Sequence, residues 1–123
     1  MGNRAVIHDE SWGNVGIYLH WNGGRNSVEQ FLKYAKEVGI RSGDYGCARL
    51  VQIIGNYLGG TMAMGVGELD RLDTESDNGM YIIKNWEIVE RKHSGYDVEQ
   101  TGYEEVIYRD TVEVNREPFY RRN

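Results

Sequence analysis

The stretch from Val15 to Val28, Val-Gly-Ile-Tyr-Leu-His-Trp-Asn-Gly-Gly-Arg-Asn-Ser-Val, narrows what this chain can fold into more than any other. Val15, Ile17 and Leu19 alternate with Gly16, Tyr18 and His20, the period of a strand with two unlike faces. Two glycines then permit a sharp bend. A helix is expected from about Val28 to Val38, because Val28, Phe31, Leu32, Ala35 and Val38 share one helical face. Ser27 followed by Gln30 fits a capping box at its start, and Gly39 suits its C-terminal cap.

Strand, glycine bend and helix start together suggest an anion site. A helix N-terminus offers unpaired amides and the positive end of the helix dipole, and an arginine adds a two-pronged donor. On this reading His20, Trp21, Asn22, Gly23, Gly24, Arg25, Asn26 and Ser27 line a pocket for a phosphorylated, nucleotide-like molecule. Asn22, Gly23, Gly24 and Ser27 hold phosphate, Arg25 neutralises it and Trp21 or a nearby tyrosine stacks on a base. The plainer alternative is a tight turn in which Trp21 covers the core and Arg25 is solvated.

Elsewhere the pattern is that of an α+β fold, two helices packed on a mainly antiparallel sheet of four or five strands in a single domain spanning 1–123. Ala5 to His8 reads as a first strand, pairing with Val15 to His20. A second helix from Gly46 to Leu58 buries Cys47, Leu50, Val51, Ile54 and Leu58. Its polar face carries Arg49, Gln52 and Asn56, of which Arg49 and Asn56 join the candidate site. Residues 59–67, with four glycines, read as a close-packed connection and Leu69 to Asp73 as a helical turn. Asp77-Asn78-Gly79 signals a turn, followed by strands at Met80 to Ile83 and Trp86 to Glu90 around Lys84-Asn85. From Tyr103 to Val114 the alternation favours a further strand, with a helix as the alternative. Phe119 to Asn123 reads as a tail that packs on a neighbouring subunit, so a homo-oligomer is expected.

Composition excludes several classes of function. With 123 residues and no apolar run near the ~20 residues of a membrane span, a soluble chain is expected; no secretion signal opens it, and its lone cysteine fits a reducing cytoplasm. The net charge of −5 falls mostly in the second half and argues against duplex nucleic acid as a partner. An acidic chain can instead imitate nucleic acid and occupy the basic groove of another protein, with Glu68, Asp70, Asp73, Glu75 and Asp77 as the candidate contacts. His8, His20 and His93 are widely spaced, without a metal-ligand pattern, so neither metal nor cofactor is expected. Cys47 at a helix start invites a cysteine-hydrolase reading, but it also falls on the apolar stripe, where a lone cysteine serves as a small hydrophobe.

Gly2-Asn3-Arg4-Ala5-Val6-Ile7, the run Gly16 to Arg25 and Asp77-Asn78-Gly79-Met80-Tyr81-Ile82-Ile83 resemble a family of short uncharacterised proteins of phages and mobile elements in Gram-positive bacteria. That resemblance implies a context rather than an activity. Small phage proteins of this profile antagonise host defence. One class of them sequesters nucleotide immune signals, such as ADP-ribose derivatives or cyclic nucleotides, without cleaving them. The expected function is therefore sequestration of such a signal, and the alternative is inhibition of a host defence nuclease.

Overall fold

A computed structural model describes residues 3–41, 43–58, 64–75 and 77–92. The chain forms β1 (Ala5–Asp9), β2 (Val15–Leu19), α1 (Arg25–Glu37), α2 (Asp44–Leu58), β3 (Met64–Glu68), β4 (Met80–Lys84) and β5 (Glu87–Lys92). The strands make one sheet in the order β3-β2-β1-β4-β5, antiparallel throughout except for the β1–β4 pair. The two-helix, mainly antiparallel α+β architecture expected from periodicity is the one observed.

Alternation along the strands sorts the sheet into two faces. Ala5, Ile7, Ile17, Leu19, Tyr81 and Ile83 point to the helices, where they pack with Val28, Phe31, Leu32 and Ala35 of α1 and Leu50, Ile53 and Ile54 of α2. Burying each of the larger side chains contributes about 1.5–3 kcal/mol. Cys47 and Val51 are partly buried against this core, as the apolar stripe requires. Val6, Gly16, Tyr18 and Ile82 occupy the opposite face by the same alternation.

Trp12 sits in the β1–β2 connection within a single 3-10 turn (Glu10–Trp12), and its ring is part of the core. Asp9 caps that turn by accepting from the Ser11 amide at 2.8 Å. His8 Nδ1 donates to the Val15 carbonyl at 2.8 Å, which ties the ends of the connection together and fixes the imidazole proton on Nδ1.

Helix α2 begins at Asp44, two residues before the expected Gly46, and three further elements depart from the expected bounds. Helix α1 begins at Arg25, with Gly24 at the N-cap and no side-chain cap, so Ser27 lies fully buried in the first turn rather than capping it. Its end is as expected: Gly39 has φ 75°, and the Ile40 and Gly39 amides reach the Ala35 and Lys36 carbonyls, a Schellman closure. Residues 64–68, expected to be connection, form edge strand β3. An edge position needs little side-chain burial, and Met64 supplies the contact with the core. The β4–β5 turn is Asn85-Trp86, with φ 53° and 63°, so Trp86 belongs to the turn and not to β5. The strand expected over 103–114 and the tail at 119–123 lie outside the described residues.

Candidate functional site

The bend after β2 brings His20, Trp21, Asn22, Gly23, Gly24 and Arg25 to one end of the sheet. Its left-handed residue is Asn22 (φ 61°), and Gly24 has φ −68°. The Gly23 amide donates to the Asn3 carbonyl at 2.8 Å, and the Gly23 carbonyl accepts from the buried Tyr81 hydroxyl at 2.7 Å. Asn22, Gly23, Gly24 and Ser27 are buried, whereas Asn26 is exposed. Arg25 Nε lies 3.0 Å from Glu29 Oε2, one helical turn on. The Gly23 amide and the Arg25 guanidinium, both assigned to phosphate by the sequence reading, therefore have partners within the protein. The exposed ring of this corner is Trp21, with 43% of its surface accessible, meeting His20 edge to face at 5.1 Å between centroids.

Arg49 and Asn56 stand on α2, where Arg49 is exposed and donates to Gln52 at 3.3 Å. Two surface grooves of about 420 and 410 Å³ lie elsewhere, one bordered by Glu10, Ile82 and Val89, the other by Leu32, Lys36 and Trp86.

The same sheet end gathers a charged group from residues far apart in the chain. Arg4 donates from its backbone amide (2.8 Å) and from Nε (2.9 Å) to Asp77 Oδ2, and Arg4 Nη1 lies 3.9 Å from Asp73. Tyr18, on the face of β2 away from the helices, and His20, just past the end of that strand, are hydrogen-bonded between the hydroxyl and Nδ1 at 2.8 Å. Asn78 donates to the Arg4 carbonyl at 3.0 Å and accepts from Arg91 at 2.9 Å, which ties β1, β4 and β5 together at this end.

Residues 68–75 run from the end of β3 to this cluster across the sheet face opposite the helices. The lack of a side chain at Gly16 leaves room for Leu69: a Cβ there would lie 2.7 Å from Leu69 Cδ2, whereas one at Gly67 would meet Leu72 Cδ2 at 3.5 Å, an ordinary contact. With the two leucines turned to the sheet, Glu68, Asp70, Asp73 and Glu75 stand exposed, alongside the exposed Arg71. Sequence reasoning named these carboxylates but missed Leu69 and Leu72. The available signal was the alternation of Gly65 and Gly67 within an otherwise strand-like run.

Burial alone would raise the Asp77 carboxyl pKa, but hydrogen bonds and charge from Arg4, with a smaller share from His20, outweigh it and hold it below the usual 3.8. A carboxyl depressed by folding stabilises the native state at pH above its unfolded pKa, and that stability is lost as pH falls through the folded value. Asp77→Asn, which keeps a residue tolerant of the left-handed φ of 47°, is expected to flatten the loss of stability below pH ~4. Denaturation midpoints measured from pH 7 down to pH 2 check this. An acid limb as steep as that of the wild type would exclude the assignment.

No helix among the described residues is long and apolar enough to cross a membrane, and no group of three or more His, Cys, Asp or Glu among them is placed to share a metal ion. Compared with known protein families, curated proteins and solved structures, the chain matches none.

Proposed function

We propose that this chain is a non-catalytic binding protein that presents an acidic face, cornered by aromatic rings, to the basic surface of a partner protein. The observation that carries the reading is the seating of Leu69 and Leu72 over Gly16 and Gly67, which fixes a backbone from which Glu68, Asp70, Asp73 and Glu75 project. Carboxylates on an anchored segment lose less freedom on binding than carboxylates on a loose loop, so more of their attraction survives as affinity. Trp21, exposed at the end of the same sheet near Tyr18 and His20, is the residue type that anchors interfaces. A groove that a host defence nuclease offers to nucleic acid has the complementary charge, in keeping with the resemblance to phage proteins.

The test is inhibition of purified defence nucleases by the wild type and by the triple reversal Asp70→Lys, Asp73→Lys, Glu75→Lys. Like charges facing across an interface cost several kcal/mol, so the reversal is expected to weaken inhibition about a hundredfold or more, while Arg25→Ala leaves it intact. Leu69→Ala, which removes the anchor and keeps every charge, should give a smaller loss. Inhibition unchanged by the reversal would remove the reading.

The exposed Trp21 ring supports a second reading, capture of a nucleotide-like signal by stacking. Titration calorimetry with ADP-ribose and cyclic dinucleotides separates the two. Heat that disappears in Trp21→Ala but persists in the triple reversal favours the signal, and no heat with any of them excludes it.

A further inference from the structure

Among the described residues the sheet ends in two edges built differently. Strand β5 carries Glu87, Glu90, Arg91 and Lys92, and its pairing with β4 slips at Ile82/Ile83 in a bulge, both devices that discourage another strand from adding. Strand β3, Met-Gly-Val-Gly-Glu, pairs with β2 in unbroken register and carries no basic residue, proline or bulge. Its central Val66 is 54% exposed although it lies across from the buried Ile17. Among the described residues β3 pairs with β2 alone.

We propose that two copies of the chain pair β3 to β3, antiparallel about a two-fold axis at Val66, and so join their sheets edge to edge. The strand's own sequence selects the second copy as its partner. About that axis Val66 faces its own image, Gly65 faces Gly67, and Met64 faces Glu68, so the apolar residue is covered and no two carboxylates stand opposite each other. Moving the axis by one residue, to Gly67, would set Val66 against Glu68 and leave the apolar pair unmade. A two-fold normal to the sheet keeps the helices of both copies on one face and their 68–75 segments on the other. The pairing stands whether or not that acidic face binds a partner.

The chain has a single cysteine, so Val66→Cys in a Cys47→Ser background carries one thiol per copy. Residues directly opposite in an antiparallel pair have Cα atoms about 4.5–5.5 Å apart, inside the range a disulfide spans. The wild type is expected to be a dimer by native mass spectrometry. Oxidised Val66→Cys is expected to form a covalent dimer at least ~10 times faster than Val89→Cys, whose residue is equally exposed on the other edge. Val66→Asp, which sets two carboxylates face to face, is expected to weaken the dimer about tenfold or more. A monomeric wild type, a Val66→Asp dimer of unchanged affinity, or equal cross-linking at positions 66 and 89 would each overturn the proposal. Because Val66→Cys changes size little at an exposed site, its cross-linking rate decides the matter even if Val66→Asp folds poorly.

Discussion

Trp86→Ala is expected to cost the fold about 3–5 kcal/mol, read as a drop in the urea midpoint at unchanged slope. The ring is buried although it sits in a two-residue hairpin turn, and its Nε1 donates to the Ile40 carbonyl in the α1–α2 connection at 2.8 Å. Its far edge lies against α2, where a Cβ at Gly46 would come within 3.0 Å of Cη2 and Cζ2. One side chain thus joins the β4–β5 turn to the α1–α2 connection and to α2. Its backbone is strained for a non-glycine residue, with φ 63°, at a cost on the order of 1–2 kcal/mol. Truncation to alanine removes the packing and keeps the strain, whereas truncation to glycine removes both. The glycine variant should therefore be the more stable of the two by about 1 kcal/mol, reversing the usual order. An alanine variant as stable as glycine would show that the turn has relaxed.

What the sequence made legible follows from which signals are local. The stripes Val28, Phe31, Leu32, Ala35 on α1 and Leu50, Ile54 on α2 are periodic, and each is buried as read. Gly39 closes α1 because a left-handed C-terminal residue is a local need. The beginning of α1 was misplaced because the Ser27–Gln30 capping pattern competes with a long-range tie: Gly23 is pinned to Asn3, and the helix follows at once from Gly24. Trp86 was read as strand because aromatics favour strands, whereas its position is set by the Ile40 carbonyl and Gly46, both some 40 residues away in the chain. At the candidate site the partner of Arg4, Asp77, depends on the parallel pairing of β1 with β4. For the seats of Leu69 and Leu72 the alternation of Gly65 and Gly67 was the one local hint. The seats exist only once β2 and β3 set Gly16 opposite Gly67 in one register.

Gly23→Ala is expected to destabilise the chain by about 3 kcal/mol or more, at the upper end of overpacking effects. The cause is space rather than backbone freedom. A Cβ there would lie 2.5 Å from the Asn3 carbonyl oxygen, 2.8 Å from Ala5 Cβ and 2.8 Å from the Arg4 carbonyl carbon. None of these is the end of a flexible side chain, so the strain has to move backbone. The same residue holds the Asn3–Gly23 hydrogen bond and accepts from Tyr81, so a shift there loosens the start of β1, the end of β2 and β4 together. Tyr81→Phe supplies the scale: it leaves the Gly23 carbonyl buried without its hydroxyl donor and should cost about 1–3 kcal/mol with no steric push. If chemical denaturation finds Gly23→Ala no worse than Tyr81→Phe, the close approach of the bend to β1 is not what holds this end of the sheet. The corner that displays Trp21 would then have to be fixed by the Arg4–Asp77 and Asn78 contacts alone.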